Sequence, residues 1–208
     1  MMHRNYLGAI LRAVAEGLSR GGVLRLALAG AGVATFRVPA AAVAACVPDV
    51  DLSYLRVLAA AELLKTDFAS TALASGKLGA RSAELIRRVR ADDGAHYAGL
   101  AALLSGAGQT PPTTDDIDFA YPAGSFGSQR SILSLAWKLG TLTLGAYLGA
   151  VENVLTASQR LPLGQIAANE AQQLSALATV AGRPVIGGAF ASSLAIDAVS
   201  SALDEYES

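Results

Sequence analysis

The stretches ADDGAHYAGL at 91–100 and ANEAQQLSAL at 168–177 decide the fold. Each places an acid three residues before a second polar side chain, within a run rich in alanine and leucine. The two pairs are Asp93 with His96 and Glu170 with Gln173. Because residues three apart lie on one face of an α-helix, each stretch predicts a helix that presents a polar pair on an apolar surface. Their similarity indicates that equivalent helices repeat along the chain.

The composition favours a helical protein with a large apolar core. The chain has 208 residues, of which 52% are hydrophobic and only 6% aromatic, with a formal net charge of −1. Much of the apolar content is alanine and leucine, which have high helix propensity, and a chain of this length can bury a stable core without cross-links. The single cysteine, Cys46, excludes an internal disulfide and a cysteine-rich metal site. The near-neutral charge gives no sign of nucleic-acid binding.

Four long helices are predicted in the part of the chain that follows residue 50. Apolar residues recur there at intervals of three and four, as on one face of a helix. The predicted helices are 51–76, 80–105, 128–158 and 161–180, with a short amphipathic helix in the tail 193–206. Ser128 suits a helix N-cap, and Pro162 suits the first turn of the fourth helix.

The segment QTPPTTDDIDFAYPAGSFGS at 109–128 separates the second and third helices. It contains three prolines and no apolar period. A loop this long in a compact domain usually wraps the surface or crosses a bundle. We therefore expect an all-α fold over residues 47–208, an up-down-down-up four-helix bundle with a long crossover between helices two and three.

Residues 1–46 differ from the rest of the chain and follow the pattern of an export leader. Scattered arginines come first, then an apolar stretch at 23–36, then a run of small residues ending at Cys46. The sequence VAAC at 43–46 fits a bacterial lipoprotein box, which makes Cys46 a candidate lipidation site. This pattern predicts a cell-envelope or periplasmic protein, and it allows membrane association through residues 1–46. The alternative is an amphipathic helix and a packed apolar segment, since 23–36 is shorter than the roughly 20 residues of a membrane span.

Five stretches resemble, in order, motifs of the ferritin-like domain found in bacterial exported proteins and plant desiccation-related proteins. They are AELLKTDFAS at 61–70, ADDGAHYAGL at 91–100, DFAYPAGSFGS at 118–128, GAYLGAV at 145–151 and GRPVIGGAF at 182–190. The resemblance covers roughly residues 51–208. It implies a ferritin-like four-helix bundle whose helices direct metal ligands inward.

The resemblance also implies a set of metal ligands. In the family each of two metals has a terminal acid and a histidine, and two further acids bridge the metals. The terminal pair of one metal maps to Glu62 and His96, and the bridging acids map to Asp93 and Glu170. Asp93 is one methylene shorter than the family's glutamate, so its reach to a metal is reduced.

The second metal has lost both of its terminal ligands. The acid expected from the third helix maps to Gly140, and the histidine expected from the fourth helix maps to Gln173. Gly140 precedes Glu170 by 30 residues, much as Glu62 precedes Asp93 by 31, so the two halves remain in register. The losses argue against oxygen activation at paired irons.

Two interpretations of the centre stay open. In the first, the acids form a hydrogen-bonded polar core, Gln173 donates to a carboxylate, and Gly140 lets helices approach closely. The protein is then a non-catalytic structural or stress-related protein, a homo-oligomer, or an accessory subunit of a partner protein.

In the second interpretation one divalent ion, with iron or manganese expected, is bound for redox chemistry or metal handling. Its ligands are Glu62, Asp93, His96 and Glu170. Lys65 stands where the family often has a second acid, and its side chain either pairs with a buried carboxylate or reaches solvent.

Overall fold

The computed structural model describes residues 47–187 and 189–207. The predicted leader, including Cys46, lies outside the described residues. The helices are α1 (Asp49–Ala74), α2 (Ala80–Gly106), α3 (Gln129–Asn153), α4 (Ala157–Ala181) and α5 (Ile196–Leu203), and a 3₁₀ turn follows at Asp204–Tyr206. The described residues form no strand, only an isolated bridge between Phe119 and Glu207. The all-α prediction is confirmed.

Contacts at the two ends of the bundle establish the direction of each long helix. The Gly79 amide donates to Gln129 Oε1 over 2.7 Å, which joins the start of α2 to the start of α3. At the other end the Asp51 carboxylate accepts from the amides of Leu155 and Thr156, at 2.8 and 2.9 Å. Because the start of α1 thus meets the end of α3, α3 is antiparallel to α1 and parallel to α2. The order is up-down-down-up, as predicted.

The crossover between α2 and α3 packs along the bundle and is fixed by one tyrosine of α2 and one of its own. The Tyr97 hydroxyl donates to the carbonyl of Pro112 over 2.6 Å, and the Tyr121 hydroxyl donates to Asp67 Oδ2 over 2.7 Å. Near the C-terminus, the carbonyl of Tyr206 accepts from the Ala120 amide at 2.7 Å. The crossover and the end of the chain therefore stabilise each other.

The boundary between α3 and α4 differs from the prediction. The third helix ends at Asn153 rather than near 158, and the fourth begins at Ala157, so Pro162 lies inside α4 instead of opening it. The reason is a contact from another helix, because the Asp51 carboxylate holds the amides of the connecting residues. Pro162 is the sixth residue of α4, beyond its first turn, so α4 lacks the intrahelical hydrogen bond that an amide at this position would donate to the Ser158 carbonyl.

The segment after α4 packs against two glycines of α3. The Leu194 amide donates to the carbonyl of Gly145 over 2.9 Å. A Cβ atom at Gly149 would lie 2.0 Å from the Leu194 carbonyl oxygen, and one at Gly145 would lie 2.7 Å from the Leu194 side chain. Glycine is thus required at both positions for this close approach.

Among residues 47–187 and 189–207, none of the helices has both the length and the hydropathy needed to traverse a bilayer.

Candidate metal centre

Three helices each contribute a pair of polar residues spaced by three to the middle of the bundle. Such spacing places both members of a pair on one helix face. The pairs are Glu62 and Lys65 of α1, Asp93 and His96 of α2, and Glu170 and Gln173 of α4. His96 is the most exposed of the charged groups at 11%, while the three acids are fully buried. The sequence-predicted ligands Glu62, Asp93, His96 and Glu170 are therefore brought together.

Lys65 lies at the centre of this cluster. Its Nζ is 2.8 Å from Asp93 Oδ1, 2.6 Å from Glu170 Oε1 and 2.7 Å from Glu170 Oε2. Glu62 Oε2 is farther away at 3.6 Å, and Gln173 Oε1 lies at 3.5 Å. The side chain is only 5% exposed. Of the two possibilities left open by the sequence, Lys65 pairs with buried carboxylates and does not reach solvent.

The charge of Lys65 is maintained by its partners. Burial alone would lower the pKa of Lys65, but the negative charges of Glu62, Asp93 and Glu170 outweigh burial and raise the pKa well above its usual value. The same pairing acts on Glu170: burial would raise the pKa of this carboxyl, and the charges of Lys65 and His96 bring it below its usual value. Lys65 and Glu170 are therefore an ammonium–carboxylate pair.

His96 contacts two of the same carboxylates. Its Nδ1 lies 3.3 Å from Glu62 Oε1 and 3.2 Å from Glu170 Oε1. Burial would lower the pKa of His96, but the interactions with Glu170 and Glu62 prevail and raise it to about 9. Tyr147 of α3 donates to Glu62 Oε1 over 2.6 Å, and burial raises the pKa of this tyrosine, so it remains a neutral donor.

The charged form of Asp93 is disfavoured in the centre. Burial, only partly offset by Lys65, raises its pKa to about 7. The Gln173 amide nitrogen donates to Asp93 Oδ1 over 3.2 Å and to Asn169 Oδ1 over 3.0 Å. Gln173 therefore acts as a hydrogen-bond donor to a carboxylate, as the polar-core interpretation predicted.

The position of the lost third-helix acid is filled by the neighbouring helix. A Cβ atom at Gly140 would lie 3.0 Å from Leu174 Cδ2, so Leu174 of α4 packs directly on the bare helix backbone. A cavity of about 20 Å³ remains beside Gly140, bordered by Lys65, Asp93 and Gln173 and otherwise by apolar side chains. This is about the space that one water molecule requires.

The residues present do not fit two metal ions. Divalent ions in a two-metal centre share bridging carboxylates and lie about 3.5–4 Å apart. Here the Lys65 ammonium already lies between the bridging positions Asp93 and Glu170, and the second metal's terminal positions carry Gly140 and Gln173. A second cation would have to displace a buried ammonium.

The same residues do fit one metal ion. Glu62, Asp93, His96 and Glu170 each offer a ligand atom, and these atoms all lie within 4.8 Å of one another. Among the described residues, Glu62 Oε2, Asp93 Oδ2 and His96 Nδ1 are buried without a hydrogen-bond partner. A mixed set of carboxylate oxygens and one imidazole nitrogen suits iron, manganese or zinc. That these four residues act as ligands remains a prediction.

Sequence reasoning did not identify Tyr147 as part of the site. The signal was available, because Tyr147 follows Gly140 by seven residues and so lies on the same face of α3. It likewise did not identify Asn169, which orients the Gln173 amide. The signal was available here too, because Asn169 precedes Gln173 by four residues and so lies next to it on the helix surface.

Comparison with known protein families agrees with this architecture. The model of the family described as ferritin-like domain matches residues 50–183, which contain all four long helices up to the turn after α4. A search of curated proteins finds no significant match. Since the family match covers more than half of the chain and coincides with the bundle that holds the buried centre, the chain belongs to the ferritin-like domain family.

Proposed function

We propose that this chain is a non-catalytic ferritin-like protein, exported or membrane-associated, with a structural, stress-related or accessory role in the cell envelope. The observation that carries the proposal is the Lys65 ammonium, whose Nζ is 2.8 Å from Asp93 Oδ1 and 2.6 Å from Glu170 Oε1. An ammonium ion has neither a variable valence nor a coordination position for oxygen. It therefore removes the paired-metal chemistry that this bundle supports elsewhere.

Burial supports the same conclusion. The three acids are fully buried, and Lys65 and Gln173 are 5% and 7% exposed. A substrate would therefore have to approach past His96. The interactions of the centre instead connect α1, α2 and α4 across the bundle, which is a structural role.

The envelope part of the proposal is supported by the sequence of residues 1–46, with its arginines, apolar stretch and small-residue run before Cys46. Fractionation of the native host, with intact mass of the recovered chain, tests it. A chain in the envelope fraction supports export, and a species beginning at Cys46 with added lipid identifies a lipoprotein. Recovery of the whole chain from the cytoplasm contradicts export.

Oxygen consumption tests the non-catalytic part. Purified protein is loaded anaerobically with excess Fe²⁺ and then mixed with oxygenated buffer, alongside His96→Ala. We expect iron oxidation at the same rate for both proteins and for buffer alone. Oxidation several-fold faster in the native protein, and lost in His96→Ala, contradicts a non-catalytic role.

A second candidate function is single-metal binding for redox chemistry or metal handling. It is favoured by the four potential ligand residues, whose ligand atoms lie within 4.8 Å of one another, and by Asp93 Oδ2, which is buried without a hydrogen-bond partner. Elemental analysis of protein purified from its native host without chelators separates the candidates. One equivalent of a single element favours the metal-binding role, and none favours the polar core.

A further inference from the structure

We propose that Lys65 provides one fixed cation of a mixed centre, so that the site accepts a single divalent metal ion and no second one. The ammonium holds the side of the centre that faces Gln173, and the metal ion binds on the side that faces His96. The inference goes beyond the proposed function, because it concerns the number of ions and holds whether or not the protein is catalytic.

The contacts of Lys65 resemble those of a bridged cation. Its Nζ lies within 2.8 Å of three carboxylate oxygens, one from Asp93 and both from Glu170. The amide oxygen of Gln173, at 3.5 Å, completes the set on the side where the fourth-helix histidine is missing. The ammonium thus uses the lone pairs that a second metal ion would need.

Next to the ammonium, the centre holds further potential ligand atoms. Asp93 Oδ2 is buried without a hydrogen-bond partner, Glu62 Oε2 has only its 3.6 Å ion pair with Lys65, and His96 Nδ1 contacts only carboxylate oxygens. Buried polar groups are nearly always satisfied, so a cluster of incompletely satisfied donor and acceptor atoms favours a bound ligand. Donor atoms of these residues and Glu170 lie within 4.8 Å of one another, which suits one cation with oxygen and nitrogen ligands.

Asp93 connects the two sides. Its Oδ1 accepts from the Lys65 ammonium and from Gln173, while its Oδ2 is one of the unsatisfied atoms. The carboxylate therefore extends from the ammonium toward the metal position, just as a bridging carboxylate extends between two metals. The aspartate side chain is long enough for this contact, because Asp93 Oδ1 lies 2.8 Å from Lys65 Nζ.

Counting charges gives the same number of ions. A histidine that ligates a metal ion must have lost its imidazolium proton. With His96 neutral in this way, three carboxylates and one ammonium leave two negative charges in a buried site, and a single divalent cation balances them. A second divalent cation would leave an uncompensated positive charge in the interior, which is strongly unfavourable.

Metal titration of the full chain tests the inference, with Mn²⁺ and Zn²⁺ as probes and the bound ion counted after desalting. We expect one ion per chain in the native protein. Lys65→Ala, which removes the ammonium and leaves room, should bind more than one ion. Lys77→Ala, the same change at an exposed lysine in the turn between α1 and α2, should still bind one.

Two ions per native chain, or none, would overturn the inference, as would an unchanged count of one in Lys65→Ala. Should that variant fail to fold, Lys65→Gln gives the same comparison with more of the side-chain volume kept. A number of bound ions other than one in the native protein is enough to reject the inference, whatever the variants bind. Oxygen consumption with one ion bound would contradict the proposed function and leave the count intact, so the two failures are distinguishable.

Discussion

Lys65 is surrounded by Glu62, Asp93 and Glu170, and all four side chains are withdrawn from solvent. Removing one partner of a buried ion pair costs far more than removing an exposed one, because the remaining charges stay uncompensated in the interior. The stability of the bundle is therefore linked to the Lys65 ammonium, and the three carboxylates around it maintain its charge.

Lys65→Met should lower the free energy of unfolding by about 3–5 kcal/mol in metal-free buffer, since three carboxylates lose their shared cation. Lys77→Met makes the same chemical change on an exposed side chain and should stay within about 0.5 kcal/mol of the native protein. Urea unfolding followed by circular dichroism measures both. Equal stability of the two variants would show that the ion pairs of Lys65 contribute nothing.

The raised pKa of His96 implies that the stability of the protein depends on pH. The pKa of His96 rises from 6.5 in the unfolded chain to about 9 in the folded one, so folding favours the imidazolium. The resulting stabilisation is fully present below pH 6.5 and is lost as pH rises through 9. Asp93 acts in the same direction at lower pH, because its pKa is raised from 3.8 to about 7 and the stabilisation from its neutral form is lost between these values.

In metal-free buffer the free energy of unfolding should therefore fall between pH 6.5 and 9, by on the order of 3 kcal/mol from His96 alone. His96→Gln, which cannot gain the charge, should show a much shallower decline over that interval. Urea unfolding at several pH values measures this. A native protein whose stability rises over the interval, or a variant with the same slope, contradicts the assignment.

At the scale of whole helices, sequence patterns predicted where helices occur better than where they meet. The apolar period and the glycines after α1 and α4 correctly indicated those helices, because both signals are local. The break between α3 and α4 was placed wrongly because Asp51, about a hundred residues earlier, holds the amides of Leu155 and Thr156. Nothing near Pro162 reveals that long-range contact.

Two helical glycines, Gly149 of α3 and Gly164 of α4, are expected to respond oppositely to substitution by alanine. Gly149→Ala should destabilise the protein by about 1–3 kcal/mol, because its Cβ would lie 2.0 Å from the Leu194 carbonyl oxygen. Gly164→Ala in α4 should stabilise by up to about 1 kcal/mol, since no described atom lies within 4 Å of its Cβ. Thermal unfolding compares the two. A stabilised Gly149→Ala would show that the segment around Leu194 does not pack on α3.

For the whole molecule, the four-helix bundle and its polar layer could be predicted because they depend on periods of three and four and on one long, proline-rich crossover. The acid–histidine and acid–glutamine pairs were located for the same reason. The partner of Lys65 could not be predicted, because its bond to Glu170 connects residues 105 positions apart. A periodic pattern gives the face of a helix and leaves the opposing residue undetermined.

Crystals grown with Mn²⁺ and measured for anomalous scattering would test most directly the idea that Lys65 takes the place of one metal ion. We predict one manganese peak at coordination distance from His96 Nδ1, with Lys65 Nζ still between Asp93 and Glu170. Two peaks bridged by Asp93 and Glu170, a displaced Lys65 side chain, or no peak at all would contradict it.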